Sequence, residues 1–201
     1  MIRMNKMNLP NKLTLLRIIL VPFFIATILI DFPLHYLVSG IIFGIASVTD
    51  SLDGRIARSQ NLVTDFGKFA DPLADKILVI SALVCFLQTG LLGNYGAIPV
   101  VIVLFREFAV SGIRLVAASG GKVVAANIWG KIKTVSQMVG IALIFAMQSV
   151  LDIFKLANFT VEGLSETFLL IGIILVWIST LFTLISGVIY LKDNSSFLKD
   201  K

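Results

Sequence analysis

The sequence carries little charge and one cysteine. Only 14% of its 201 residues are charged, and the lone Cys85 excludes an intrachain disulfide. Apolar residues make up 57% of the chain, and the mean hydropathy is +0.96. A soluble domain of this length does not need so much apolar surface. The composition therefore predicts an integral membrane protein, in which Cys85 is a small buried apolar residue.

The few charges are biased toward the basic side, with a formal net charge of +5. A basic balance can indicate a nucleic-acid partner, but these lysines and arginines are spread over short connections between apolar runs. We therefore expect membrane lipids as partners and no nucleic acid.

Six apolar segments are long enough to cross a hydrocarbon core of about 30 Å, which takes roughly 20 helical residues. Lipid satisfies no backbone hydrogen bonds and the periodicity is not that of a barrel, so the segments are predicted to be helices. The expected fold is an all-α integral membrane protein with six transmembrane helices in a single domain over residues 1–201. The predicted spans are 13–30, 34–50, 67–91, 97–118, 127–151 and 167–191, and a polar stretch is expected at 152–166.

The N-terminal segment Met1–Leu9 carries Arg3 and Lys6 among apolar residues. This pattern favours a short amphipathic segment on an anionic leaflet. A cleaved signal peptide is the rival interpretation, and it is disfavoured because no small-residue cleavage site follows the first apolar run.

The distribution of basic residues predicts the orientation. With six spans, every Lys and Arg except Lys155 falls on one side of the membrane or in the half-spans leading to it. The positive-inside rule makes this side cytoplasmic, together with both termini. The opposite side carries His35, which we interpret as a surface residue and not a metal ligand.

The segment Thr49–Lys76 contains four aspartates at helical spacing. Asp50 and Asp53 are three residues apart, and Asp71 and Asp75 are four apart, so each pair shares one helix face. Two carboxylates about 4 Å apart repel by ~4 kcal/mol at an effective dielectric constant near 20. Converging carboxylates therefore need cations, and their hard oxygens suit Mg²⁺, Mn²⁺ or Ca²⁺. A salt-bridged helix end is the alternative, but the small residues beside the aspartates leave room for a ligand.

From Asp50 to Asp75 the chain follows the pattern D-x-x-D-G-x-x-A-R-x8-G-x3-D-x3-D. This pattern resembles the complete signature of the CDP-alcohol phosphotransferases, which are membrane enzymes of phospholipid synthesis. The resemblance implies transfer of a phosphatidyl group from CDP-diacylglycerol to an alcohol, with release of CMP. By the positive-inside rule, the aspartates lie at the cytoplasmic side of the cell membrane. The resemblance also implies two divalent ions, Mg²⁺ or Mn²⁺, and a homodimer.

The resemblance implies a role for each matched position. Asp50, Asp53 and Asp71 would be metal ligands, and Asp75 would be the catalytic base that also touches the second metal. The nucleotide would be bound by Gly54, Ala57, Arg58 and Gly67. The simpler interpretation of Arg58 is a cation facing lipid headgroups at the membrane edge.

Polar residues recur every three positions in the first span. Asn11, Thr14 and Arg17 form one stripe, which should face the protein interior or a cavity. The stripe resembles the start of those family members whose acceptor is glycerol 3-phosphate. Asn11 and Thr14 are therefore expected at the nucleotide and Arg17 at the acceptor phosphate. Helix capping with snorkelling of Arg17 is the alternative.

The fourth span contains Arg106, Glu107 and Arg114, and charges at that depth indicate function. Because neighbouring helix residues do not face each other, we expect Arg106 and Glu107 not to pair and each to have a partner on another span. Lys131 and Lys133 open the fifth span about 200° apart, so both cannot point into one pocket.

A pocket with Arg17, Arg114 and at least one of Lys131 and Lys133 fits an acceptor that carries phosphate, such as glycerol 3-phosphate. Sibling reactions with phosphatidylglycerol, serine or inositol phosphate as the acceptor stay open. A divalent-cation transporter is the non-enzymatic alternative. It would place carboxylates near mid-membrane with access from both sides, whereas these aspartates lie near one end of their spans.

Overall fold

The computed structural model describes residues 9–59, 65–119 and 127–194, which form helices and the turns between them, and it describes side chains for 11–49, 73–74, 76–118 and 127–194. The described helices are α1 (Leu9–Leu29), α2 (His35–Ser59), α3 (Asp65–Gln88), α4 (Ala97–Ser119), α5 (Ile128–Leu156) and α6 (Leu164–Asp193). The predicted all-α fold is confirmed for these ranges. The expected amphipathic start lies almost wholly in residues 1–8, outside the described residues.

The helices differ in how well they suit a membrane. Within the described residues, Asn11–Leu29 of α1, α5 and α6 are long and apolar enough to cross a bilayer. In α2 and α3 the apolar parts are shorter, His35–Thr49 and Lys76–Gln88. The part of the chain that the structure describes therefore has six helices, three of which are candidate spans, and the remaining spans stay a prediction.

Helix α5 continues through Leu156, so the polar stretch expected from 152 begins too early. Asp152 lies within α5, and its carboxylate has partners at the start of α2. Its Oδ2 accepts a hydrogen bond from the Tyr36 backbone N–H at 3.1 Å, and its Oδ1 lies 3.9 Å from His35 Nε2. Groups at the start of α2 therefore interact with the carboxylate of Asp152, which the sequence analysis assigned to the polar stretch after the fifth span.

The described chain forms two compact units. The first comprises residues up to Cys85 together with Phe145–Thr160. In it α1 packs on α2 after a short turn, in which Leu34 has a positive φ of 63°. Phe24, Phe43 and Phe145 form its aromatic core, with ring centroids 5.8–5.9 Å apart.

The second unit comprises Phe86–Ile144 and the chain from Val161 onward, and in it α4 packs on α6. Val110, Ile113 and Tyr190 are buried between these two helices. The other side of α4 exposes large apolar side chains, and Phe105 and Phe108 are about 70% accessible. An exposed face of this kind suits hydrocarbon better than water.

Candidate functional site

All four aspartates lie at helical positions of the backbone, two on α2 and two on α3. Helix α2 extends to Ser59 and contains Asp50 and Asp53, while α3 begins at Asp65 and contains Asp71 and Asp75. The predicted helical spacing is therefore confirmed. The side chains of the four aspartates lie outside the described residues, as do those of the other matched motif positions, Gly54, Ala57, Arg58 and Gly67. Their roles stay predictions.

The polar stripe of α1 is buried. Asn11, Thr14 and Arg17 are all buried, and Arg17 is only 1% accessible. Leu16 and Ile19 on the same helix are exposed instead. The prediction that the stripe faces inward is confirmed. Snorkelling of Arg17 is excluded, because a snorkelling guanidinium would remain in water.

A second buried polar group lies in the other unit, and we call it the Glu107 cluster: Arg106, Glu107, Lys133 and Ser186. Glu107 Oε1 accepts hydrogen bonds from Lys133 Nζ at 2.6 Å and from Arg106 Nη1 at 2.9 Å. Arg106 Nη2 donates to Ser186 Oγ at 2.7 Å. The cluster thereby joins α4, α5 and α6 through side chains that are buried or nearly so.

The expectation that Arg106 and Glu107 do not pair is wrong. Their Cα–Cβ directions diverge by about 100° on a helix, but the arginine side chain is long enough to bend back to the carboxylate. The other half of the expectation is confirmed, since each also has a partner on another helix. These partners are Ser186 for Arg106 and Lys133 for Glu107.

Gly187 leaves room for the Arg106 side chain, and Gly130 lies at ordinary contact distance from it. A Cβ at Gly187 would lie 3.1 Å from Arg106 Cγ, and one at Gly130 would lie 3.5 Å from Arg106 Nη2. Sequence analysis missed Ser186, Gly187 and Gly130. The available signal was the Ser-Gly pair inside the uncharged apolar run of α6, because small residues permit close helix contact in membranes.

Several buried hydrogen-bond donors lie in and near the Glu107 cluster. The Lys133 ammonium and the Arg106 guanidinium both donate to Glu107 Oε1. Three further donor atoms on α4, at the start of α5 and within α5 are buried without a hydrogen-bond partner among the described residues. They are Arg106 Nε, Asn127 Nδ2 and Gln137 Nε2. An arrangement rich in donors favours an anion.

Arg114 and the two lysines have different environments. Arg114 Nε donates to the Tyr190 hydroxyl at 3.2 Å, and its guanidinium carbon lies 5.6 Å from the centre of that ring. Lys131 is exposed, whereas Lys133 is only 5% accessible. The expectation that the two lysines point differently is confirmed, and Lys133 is the one that faces inward. Their binding to an acceptor phosphate stays a prediction.

A cavity of about 350 Å³ lies beside the turn between α1 and α2 and the end of α5. Asp31–Leu34, Asp152, Lys155 and Leu156 line it, and none of these is a predicted site residue. The neighbouring His35 is 12% accessible and its ring centroid lies 4.1 Å from that of Tyr36. The interpretation of His35 as a surface residue is therefore wrong, because the ring packs against Tyr36 and beside Asp152.

Comparison with known proteins identifies relatives along nearly the whole chain. The chain is 42% identical to the CDP-diacylglycerol–glycerol-3-phosphate 3-phosphatidyltransferase of Bacillus subtilis (strain 168), over 96% of this chain and 97% of that protein. It is 37% identical to the protein of the same name from Rickettsia bellii, over 92% and 94% of the two chains. The namesake from Haemophilus influenzae is 33% identical over 97% of both.

The family comparison agrees with these relatives. The sequence model of the CDP-alcohol phosphatidyltransferases matches residues 7–185, which include the aspartate motif, the α1 stripe and the Glu107 cluster up to its α4 and α5 members. This is the family that the aspartate motif resembled. The chain belongs to the CDP-alcohol phosphatidyltransferase family.

Proposed function

We propose that this chain transfers the phosphatidyl group of CDP-diacylglycerol to glycerol 3-phosphate, releasing CMP and forming phosphatidylglycerophosphate. The observation that carries the proposal is the 42% identity, over nearly its full length, to a Bacillus subtilis protein named for this reaction. The complete aspartate motif supports it, because the residues needed for the chemistry are all present.

In the proposed reaction a hydroxyl oxygen of glycerol 3-phosphate attacks the phosphorus that carries the diacylglycerol. A new P–O bond forms there as the bond to the bridging oxygen of CMP breaks, and CMP leaves with the electron pair. Asp75 is the proposed base and takes the hydroxyl proton. Asp75 follows Asp71 by one turn of α3, so the two residues share one helix face, which supports this role.

The motif's donor set fits divalent cations. Asp50 and Asp53 on α2 and Asp71 and Asp75 on α3 offer only hard carboxylate oxygens, which are the ligands that Mg²⁺ and Mn²⁺ prefer. Two bound ions would supply charge neutralisation of the pyrophosphate and of the leaving CMP oxygen. In this proposal the enzyme is therefore metal-dependent.

The hairpin of α1 and α2 supports a shared site for the stripe and the aspartates. In an antiparallel hairpin, residues equally far from the turn lie at the same depth. Counted from Phe32 in the turn, Asn11 corresponds to Asp53 and Thr14 to Asp50. The buried stripe and the first aspartate pair therefore share one level. This favours Asn11 and Thr14 as contacts to the nucleotide or its phosphates.

The remaining motif positions complete the proposed binding site. Gly54, Ala57 and Gly67 leave space for the nucleotide, and Arg58 pairs with a phosphate. The acceptor phosphate is assigned to the basic residues predicted for it, of which Arg17 and Lys133 are buried. The full proposed set is Arg17, Arg114, Lys131 and Lys133.

We assign the chain to the cell membrane, with six spans and the site at the cytoplasmic leaflet. Helix α4 has 23 residues, or about 34 Å at 1.5 Å per residue. Its two central charges, Arg106 and Glu107, pair inside the protein, while Phe105 and Phe108 face outward. These features suit a span despite the charges. A homodimer is proposed from the family resemblance.

An acceptor panel tests the proposed function. The purified protein in vesicles of CDP-diacylglycerol and neutral lipid, with Mg²⁺ or Mn²⁺, is offered glycerol 3-phosphate, phosphatidylglycerol, serine or inositol phosphate. We expect CMP release with glycerol 3-phosphate and with none of the other three acceptors. Release with a different acceptor would assign the chain to a sibling reaction, and no release with any acceptor would overturn the proposal.

A further inference from the structure

We propose that Glu107 is a positioning residue of this reaction. It holds the Lys133 ammonium and the Arg106 guanidinium at one place, so that both meet the phosphate of the acceptor. The inference rests on the proposed function, because it names the group that arranges the acceptor site. Glu107 itself carries negative charge and would not touch the phosphate.

The first support is geometric. Lys133 Nζ and Arg106 Nη1 both donate to the same atom, Glu107 Oε1, at 2.6 and 2.9 Å. The two cationic groups must therefore lie within a few ångströms of each other, although they come from different helices. Long flexible side chains of this kind would otherwise separate through mutual repulsion.

The second support is a lack of acceptors beside the cluster. Two buried donors, Arg106 Nε and Gln137 Nε2, have no hydrogen-bond partner among the described residues. The oxygens of a phosphate would supply the missing acceptors.

The third support is space. Gly187 lies against the Arg106 side chain, and a Cβ there would crowd Arg106 Cγ at 3.1 Å. Ser186 fixes the outer guanidinium nitrogen, Nη2, at 2.7 Å. Arg106 is thus held by α6 on one side and by Glu107 on the other. This arrangement orients the guanidinium, as a site for a phosphate requires.

The substitution Glu107→Gln separates three explanations, because each predicts a different effect on KM for glycerol 3-phosphate. If Glu107 positions the two cations, its loss raises KM for glycerol 3-phosphate. If it only reduces the positive charge, the cluster becomes more positive and KM falls. If it is only structural, thermal stability falls and KM stays unchanged.

We expect Glu107→Gln to raise KM for glycerol 3-phosphate about tenfold or more and to leave KM for CDP-diacylglycerol within about twofold. Glu107→Asp keeps the negative charge on a shorter side chain, so its KM for glycerol 3-phosphate should lie between those of the wild type and Glu107→Gln. Glu166→Gln is the matched control, since it makes the same change at an exposed carboxylate of α6. All variants are assayed below their unfolding temperatures.

A double-mutant cycle tests whether Glu107 affects acceptor binding by positioning Lys133. With Lys133→Gln as background, adding Glu107→Gln should change KM for glycerol 3-phosphate much less than it does in the wild type. Fully additive effects on KM would overturn the inference. If Glu107→Gln is not recovered folded, Glu107→Asp decides instead, since an unchanged KM in that variant would also overturn it.

The two proposals fail in different ways. A wild-type protein that releases no CMP with glycerol 3-phosphate overturns the proposed function. An active wild type whose Glu107→Gln variant has an unchanged or lowered KM for glycerol 3-phosphate overturns only the positioning role of Glu107.

Discussion

Lys133 Nζ lies 2.6 Å from Glu107 Oε1, which joins the start of α5 to the middle of α4. The same oxygen also accepts a hydrogen bond from Arg106. Removal of the carboxylate therefore leaves two buried cations without their shared acceptor. Removal of the lysine leaves a neutral Arg106–Glu107 pair.

The two removals should accordingly differ in their effect on stability. We expect Glu107→Gln to lower the free energy of unfolding by about 3 kcal/mol or more, as is typical when one partner of a buried ion pair is lost. Lys133→Met should cost about 1 kcal/mol, since an intact pair remains. Thermal unfolding in detergent measures both, and a larger loss for Lys133→Met would contradict the assignment.

The close approach of α6 to Arg106 predicts different outcomes for two glycine substitutions. Gly187→Ala places a methyl group 3.1 Å from Arg106 Cγ, whereas a Cβ at Gly112 on α4 meets nothing within 4 Å. Gly112→Ala should be neutral or stabilising by about 0.5–1 kcal/mol. Gly187→Ala should destabilise by about 1–3 kcal/mol through overpacking. Equal unfolding temperatures in the two variants would show that Arg106 is not held there.

The buried stripe of α1 predicts a specific effect at Thr14. Thr14→Val keeps the shape and removes the hydroxyl, so KM for CDP-diacylglycerol should rise several-fold, by the loss of about one hydrogen bond worth ~1 kcal/mol. Thr183→Val is the control, because Thr183 is equally buried and its hydroxyl donates to Ser179 O of its own helix. The same KM shift in both variants would count against nucleotide contact by Thr14.

The proposed base predicts a separation of binding from chemistry. Asp75→Asn should lower kcat by about 10²–10⁴-fold, the range for loss of a general base. Because CDP-diacylglycerol binding relies mainly on the other three aspartates, its affinity should change little. Single-turnover kinetics with labelled lipid separate the two quantities, and a variant with near wild-type kcat would refute the role of Asp75.

The sequence predicted the helices because long apolar runs in lipid have no other satisfactory backbone arrangement. It also predicted the inward stripe, since Asn11, Thr14 and Arg17 recur at helical spacing. It missed the last turn of α5, because Asp152 is satisfied by the start of α2, a contact more than a hundred residues away in sequence.

The Glu107 cluster was only partly predictable. The rule that helix neighbours diverge describes Cβ directions and not the reach of a guanidinium, so the Arg106–Glu107 pair was missed. The sequence also did not determine which of Lys131 and Lys133 faces inward, because a 200° separation between them does not fix the rotation of the helix about its axis. The hydrogen bond from Lys133 to Glu107 on α4 identifies Lys133 as the inward-facing lysine.

The number of Mn²⁺ ions bound in the presence of CDP-diacylglycerol tests most directly whether α2 and α3 share their metals. We predict about two ions per wild-type chain, weaker binding in both Asp50→Asn and Asp71→Asn, and loss of CMP release with each. Because the ions are shared, the double variant should lose little more than either single one. Wild-type Mn²⁺ binding in both single variants would contradict a metal site shared by the two helices.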